Sequence, residues 1–214
     1  NNPTQVMTNS YLDKDVKGFG LMQRDREFTH YEDDGVYYNK RPSVWVEPKG
    51  AWGEGAVQLV EIPTQDEIMD NIVAYWVPAA PVKQGDEIAL DYRLHWTKDE
   101  PFPAAIGQVV ATRRGRGGVP GQPQSYEAGL VKYVIDFEGG GLETYTDADK
   151  LIPMISASRG DIVKPYALSV KGTNRWRVVF DLRAAGAEPV DLRAYLQKPS
   201  GGALTETWIA QHFA

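Results

Sequence analysis

Apolar and polar residues alternate along much of this chain with the two-residue period of a half-buried β-strand. In Ile88-Ala89-Leu90-Asp91-Tyr92-Arg93-Leu94-His95-Trp96 the even-numbered positions are apolar, and Asp91 and Arg93 carry charge between them. Arg175-Trp176-Arg177-Val178-Val179-Phe180-Asp181-Leu182 is similar. The pattern predicts strands at Gln5–Leu12, Phe19–Gln23, Ser43–Val46, Ala56–Ile62, Asn71–Val77 and Glu87–Trp96. It continues with Ile106–Arg113, Leu130–Phe137, Ile162–Val170, Arg175–Leu182, Val190–Leu196 and Thr205–Ala210. Helical signal is thin. Thr64 and Glu67 have the spacing of a capping box over one turn, and Asp147–Leu151 reads as another turn. With 21 Gly and 14 Pro punctuating the runs, the expected class is all-β.

A boundary is expected near Thr97–Ala104, where Lys98-Asp99-Glu100-Pro101-Phe102-Pro103 is polar and proline-punctuated. Residues 104–214 hold about seven short strands and read as an immunoglobulin-like sandwich. Residues 1–100 hold too few strands to cover both faces of a sheet. They read as the C-terminal portion of a larger β-sandwich, completed by a missing N-terminal part of the same protein. The opening Asn1-Asn2-Pro3 lacks an initiator Met, as expected of a processed product or a piece of a longer chain.

Composition narrows the function classes. Apolar residues make up 42% and charged residues 24% of the 214, an ordinary globular balance. A net charge of −6 argues against nucleic acid as a partner, since phosphate binding needs a basic surface. The absence of cysteine excludes disulfides and thiolate chemistry. No apolar run reaches membrane-spanning length, so membrane insertion is not expected. His30, His95 and His212 are isolated, without metal-ligand spacing, and no Walker loop, dinucleotide fingerprint or nucleophile elbow occurs. No cofactor or metal is expected.

The candidate chemistry lies between Gly18 and Trp76, where aromatic, Arg and carboxylate side chains crowd between short strands. Rings that stack on pyranose faces and charged groups that bind hydroxyls are what a sugar cleft requires. Asp70 precedes the apolar run Asn71–Trp76 and has Glu61, Asp66 and Glu67 nearby. Desolvation and like charge there would help it keep a proton, as a general acid must. On residue type and spacing alone, a turn cap is the stronger reading of Asp70. Trp52, in the Gly-rich turn Lys49–Gly55, is the best candidate for an exposed stacking platform, and Tyr38 could reach a ligand with its hydroxyl. The competing reading places most of the aromatics in the core. Arg24, Arg26 and Arg41 are suited to sugar hydroxyls or to structural ion pairs. Asp33 and Asp34 read as solvated turn residues. Arg113–Gln124 reads as a long flexible loop, a mobile lid or an interface arm.

Gly18-Phe19-Gly20-Leu21, Gln23-Arg24, Arg41-Pro42-Ser43, Trp45-Val46, Trp52-Gly53, Leu59–Thr64 and Asp70–Trp76, with weaker similarity at Thr112-Arg113-Arg114 and Leu204–Trp208, together resemble the periplasmic glucan biosynthesis proteins G and D (glycoside hydrolase family 186). The resemblance implies a periplasmic protein acting on osmoregulated β-1,2-glucan, with a large N-terminal sandwich ahead of an immunoglobulin-like domain. D-type members resemble inverting endo-β-1,2-glucanases, and others resemble transglycosylases that make a cyclised glucan. A non-catalytic glucan-binding scaffold is the alternative from another class. The family's general acid falls on Asp70, a site tyrosine on Tyr38, and a loop that closes over the reaction centre on Gly115–Gln124. The general base would lie upstream of Asn1, so these residues alone are expected to be inactive. Homodimerisation, or contact with a membrane-bound glucan synthase, is a role open to the small domain.

Overall fold

A computed structural model describes residues 3–66, 68–102 and 105–213. Glu67, one half of the anticipated capping box, lies outside the described residues. Among those described, the regular elements are strands and short 3₁₀ turns. The chain divides into two units, Asn1–Pro103 and Ala104–Ala214.

The first unit contains β1 (Met7–Lys14), β2 (Phe19–Leu21), β3 (Ser43–Lys49), β4 (Glu54–Glu61), β5 (Ile72–Pro78) and β6 (Asp91–Thr97). They form two antiparallel three-stranded sheets, in the orders β1-β4-β5 and β2-β3-β6. Register pairs Asn9 with Leu59 and Leu59 with Ala74 in one sheet, and Glu47 with Arg93 in the other. Gly20 and Gly55 are placed by close approach. A Cβ at Gly20 would collide with the Val44 carbonyl, and one at Gly55 with the Trp76 ring and the Val77 carbonyl. Among the described residues, the buried apolar positions of this unit are Val16, Ala56 and Val57. Leu12, Tyr92 and Trp96 are respectively 77%, 55% and 69% exposed. The alternating pattern of β6 is therefore present, with its apolar face turned to water.

The second unit contains β7 (Gln108–Arg116), β8 (Leu130–Glu138), β9 (Ile152–Ala157), β10 (Asp161–Ser169), β11 (Arg175–Arg183), β12 (Val190–Gln197) and β13 (Trp208–His212). A four-stranded sheet, β10-β11-β8-β7, packs on a three-stranded sheet, β13-β12-β9. This is the strand count and two-sheet division of an immunoglobulin-like sandwich. Tyr133, Ile135 and Phe137 of β8 and Trp176, Val178, Phe180 and Leu182 of β11 meet Leu192, Ala194, Leu196 and Trp208 of the facing sheet. Each such side chain contributes roughly 1.5–3 kcal/mol on leaving water. Tyr133 and Phe180 stack at 5.3 Å, and Trp208 crosses from the other sheet to meet both rings. The Trp208 indole N–H donates to Thr112 Oγ1 at 3.0 Å, tying β13 to β7 along one edge.

Strand β9 has no counterpart in the sequence reading. Pro153 interrupts Ile152-Pro153-Met154-Ile155-Ser156-Ala157, and a proline argues against a central strand. β9 is an edge strand, where a missing N–H is tolerated. The turn expected at Asp147–Leu151 is a 3₁₀ turn over Asp147–Asp149, closed by reciprocal hydrogen bonds between Thr146 and Asp149.

The side of the four-stranded sheet away from the core carries two carboxylates that are nonetheless buried. Asp136 accepts from Arg177 at 2.6 and 2.9 Å and from Arg113 at 2.8 Å. The hydrogen bonds from Arg177, then the one from Arg113, hold its carboxyl below the ordinary aspartate range despite the burial. Asp181 accepts Lys132 Nζ at 2.6 Å and the Gly118 N–H at 2.9 Å. The loop after β7 is therefore not the free flexible segment that its composition predicts. Gly117 and Gly118 are buried, and Ser125 Oγ accepts the Val119 N–H at 2.7 Å and donates to the Gln122 carbonyl at 2.7 Å. Arg116 lies 4.5 Å over the Tyr126 ring. Gly118 has φ +102°, and a Cβ there would meet Tyr126 at 2.5 Å. The segment is a folded strap with an exposed tip at residues 120–124.

Asp181→Ala is expected to leave Lys132 unpaired and to cost about 2–3 kcal/mol. Tryptic cleavage after Arg116 should speed up by more than the loss of global stability explains.

His212 is buried, with Nδ1 2.9 Å from the Tyr133 hydroxyl. Burial, reinforced by Arg114, holds the imidazole below the ordinary histidine range. The unfolded chain then binds a proton that the folded unit resists, so stability is complete above the ordinary histidine value and declines as pH falls below it. The stability of the second unit should fall between pH 7.5 and pH 5, by at most about 1.4 kcal/mol per pH unit, and its thermal midpoint should fall with it. His212→Gln should flatten that slope in calorimetric scans.

Candidate functional site

The first unit holds a cavity of about 920 Å³. Its floor is apolar, formed by Val57, Leu59, Ile72 and Ala74 of one sheet and by Phe19, Leu21 and Trp45 of the other. Most of its polar lining comes from the chain that leads from β2 into β3, namely Gln23, Arg24, Asp25, Tyr31, Tyr38 and Arg41, and Asp13 of β1 and Glu100 add two carboxylates. Apolar walls with a few convergent polar groups are the usual form of a small-ligand or saccharide site.

The geometry of that connection follows from its local hydrogen bonds. Tyr38–Lys40 forms a 3₁₀ turn entered through Tyr37, whose φ of 50° is left-handed. A non-glycine residue there costs of the order of 1 kcal/mol and persists only when its surroundings hold it. Arg41 lies over the Tyr38 ring with its guanidinium carbon 4.0 Å from the centroid. Gln23 donates to the Tyr38 carbonyl at 2.8 Å, and its own backbone N–H donates to Ser43 Oγ at 3.0 Å. The Tyr31 hydroxyl donates to the Asp25 carbonyl at 2.8 Å. Asp33 caps the next turn, accepting the N–H groups of Gly35 and Val36 at 3.1 Å each.

The unit's two most strongly stabilised carboxylates are not acids in waiting. A hydrogen bond from His30, then one from the Glu27 N–H, holds Asp25 below the ordinary aspartate range. Glu47 accepts Lys49 at 2.6 Å and His95 at 2.8 Å, which pushes it down to about 2. Both are charged at neutral pH and cannot donate a proton to a leaving group.

Of the residues singled out from sequence, the cavity brings together Arg24, Tyr38 and Arg41. It does not include Asp70 or Trp52. Asp70 is exposed in the loop joining β4 to β5. The Ile62 N–H donates to the Asn71 carbonyl at 2.7 Å, closing the base of that loop immediately beside Asp70. Ile72, two residues further on, lines the cavity, so Asp70 stands within roughly 7 Å of a lining residue along an extended chain. The apolar surroundings expected for Asp70 are not supplied by the described residues.

Trp52 is not the free platform expected from the sequence but a half-buried ring in an aromatic cluster. Phe19, Trp76 and Tyr92 meet it at centroid distances of 6.3, 6.1 and 6.4 Å. Its indole nitrogen is buried with no partner among the described residues. It also lines a second, smaller hollow of about 440 Å³ with Pro81, Ile88 and Leu90. Arg26 is the other departure, since its partners are backbone oxygens and the Ser43 hydroxyl. Sequence reasoning did not single out Asp25; its signal was the Asp25–His30 spacing in a polar turn. Among the described residues no group of three or more His, Asp or Glu could hold a metal ion.

Trp52→Ala should destabilise the first unit by about 2–3 kcal/mol, less than a fully buried tryptophan costs, because the ring is half-exposed. Denaturant unfolding followed by tryptophan fluorescence would check this.

Comparison with known proteins bears on the same residues. The family described as "Periplasmic glucan biosynthesis protein, MdoG" matches residues 1–212. The chain is 49% identical over 214 residues to "Glucans biosynthesis protein D 2" of Ralstonia nicotianae, covering 99% of this chain and 39% of that protein. It is 44% identical over 213 residues to "Glucans biosynthesis protein D" of Stenotrophomonas maltophilia, with 99% and 39% covered. It is 45% identical over 212 residues to "Probable glucans biosynthesis protein D" of Shewanella oneidensis, with 98% and 39% covered. The chain thus spans about two fifths of the length of the curated relatives it matches.

Proposed function

This chain belongs to the periplasmic glucan biosynthesis protein family, and from that premise we propose that the protein carrying it processes β-1,2-glucan in the periplasm as an endo-β-1,2-glucanase. The observation that carries the reading is the Tyr38–Arg41 stack at a cavity with an apolar floor, joined there by Arg24. The Tyr38 ring offers a face for a glucosyl unit, and guanidinium groups donate to its hydroxyls.

In this proposal Asp70 is the general acid. Its proton passes to the glycosidic oxygen as the bond to the anomeric carbon breaks. Water attacks from the opposite face of the ring and gives up a proton to a second carboxylate, normally roughly 6.5–9.5 Å away in an inverting enzyme. That base, and the surface that desolvates Asp70, would come from the greater part of the relatives' length that this chain does not span. The uncovered apolar faces around Leu12, Tyr92 and Trp96 support the same division, with the remaining polypeptide packed on them. A sugar hydroxyl attacking in place of water would make the same site a transglycosylase.

A second reading is favoured by the exposure of Asp70, whose side chain lies outside the cavity lining. There the protein is a non-catalytic glucan-binding scaffold that uses the Tyr38–Arg41 surface alone.

The deciding experiment is turnover of linear β-1,2-glucan by the intact protein, with product anomers followed by NMR. Asp70→Asn is expected to lower kcat by at least about a thousandfold while leaving glucan affinity within a few-fold. Wild-type turnover in Asp70→Asn would remove Asp70 as the acid. Binding without turnover in the wild type would establish the scaffold reading.

A further inference from the structure

The backbone of the turn that carries Tyr38 and Arg41 is hydrogen-bonded by a side chain that lies outside the cavity lining. Arg26 donates from Nη1 to the Arg41 carbonyl at 2.7 Å and to the Asn39 carbonyl at 3.2 Å. From Nη2 it donates to Ser43 Oγ at 3.0 Å and to the Lys98 carbonyl at 3.1 Å. All four acceptors are neutral oxygens. Two belong to the turn that carries Tyr38 and Arg41, one to the first residue of β3, and one to the residue after β6. Ser43 is 1% exposed, which makes it a fixed point against which the turn is set.

We infer that Arg26 is the positioning residue of this site: its planar guanidinium ties the 38–41 turn to the ends of β3 and β6 and so fixes the spacing of the Tyr38–Arg41 pair. The functional part of this inference rests on the glucan reading of that pair. The chemistry favours arginine over any other residue. Four acceptors divided two and two between Nη1 and Nη2 suit the guanidinium fork, whereas an ammonium offers three donors from a single point. The left-handed backbone at Tyr37 is a conformation that must be imposed from outside, and the hydrogen bonds at Asn39 and Arg41 follow it directly. Gln23 assists through the Tyr38 carbonyl, and it too is anchored on Ser43 Oγ.

The test uses Arg26→Met in the intact protein, with a linear β-1,2-glucan oligosaccharide as the probe. Amide hydrogen exchange over residues 38–43 should speed up at least tenfold, while strands β7–β13 keep their rates. Affinity for the oligosaccharide by titration calorimetry should fall at least tenfold. In a Tyr38→Ala, Arg41→Ala background the same substitution should cost less than a further twofold, because its effect passes through those residues. Unchanged exchange over 38–43 would overturn the clamp, whatever the ligand. Full additivity in the double background would overturn the route through Tyr38 and Arg41. Faster exchange in Arg26→Met, beside wild-type affinity in the Tyr38→Ala, Arg41→Ala variant, would retain the clamp and refute its role in binding glucan. Should Arg26→Met fail to fold, Arg26→Lys is expected to show a roughly threefold increase in exchange, and wild-type exchange in that variant would refute the clamp.

Discussion

A β-sheet presents two faces, and each apolar face must be withdrawn from water for the sheet to be stable. That constraint separates the two units of this chain. In the second, the alternating residues of β8 and β11 meet those of β12 and β13, and Trp208 bridges the sheets. In the first, β6 alternates just as strictly, yet Tyr92, Leu94 and Trp96 remain exposed. Equal sequence regularity has produced a closed core in one place and an open face in the other. The difference is the presence or absence of a facing layer, a non-local property.

Polar side chains then fix what the sheets leave loose. Asp181 and Arg26 solve the same problem with opposite charges. Each lies beside a segment that connects two strands and satisfies backbone groups that would otherwise be left to solvent. Asp181 offers acceptors to the Gly118 N–H and Lys132, and Arg26 offers donors to carbonyls. Both act where glycine or left-handed backbone has made the chain easy to deform, at Gly118 and at Tyr37. The resulting loops have definite shapes while their exposed tips stay available for contact.

The strands were legible because their signal is local: period two, bounded by Gly and Pro. β9 escaped because Pro153 counts against a strand locally, and only its edge position makes it acceptable. The strap after β7 reads as flexible in the sequence because its partner, Asp181, lies 63 residues away. Trp52 reads as exposed for the same reason, since its ring contacts are with the distant Phe19, Trp76 and Tyr92. Three arginines of similar appearance separated only in three dimensions. Arg24 and Arg41 line the cavity, whereas Arg26 turns to backbone oxygens. No spacing rule distinguishes a ligand-facing arginine from a clamp. The assignment of Asp70 came from family resemblance, and its residue type and spacing favour the humbler turn reading.

The exposure of Asp70 bears on how the proposed chemistry would have to be organised. A general acid must hold its proton until the leaving group takes it. For Asp70 to act as an acid, something must cover it during turnover and make its charged form costly. The described residues around it do not, because Met69 is 62% exposed and Ile68 81%. Asp25 and Glu47 cannot replace it, since hydrogen bonds from His30, Lys49 and His95 favour their ionised forms. Under the proposed function, that cover would come from polypeptide corresponding to the unmatched length of the relatives, from the glucan chain itself, or from both. A glucan laid across Tyr38 and Arg41 would bring an apolar sugar face into the same unit that holds Asp70. Substrate binding would then be part of what prepares the acid, and a side chain that positions Tyr38 and Arg41 would influence proton transfer without touching the proton.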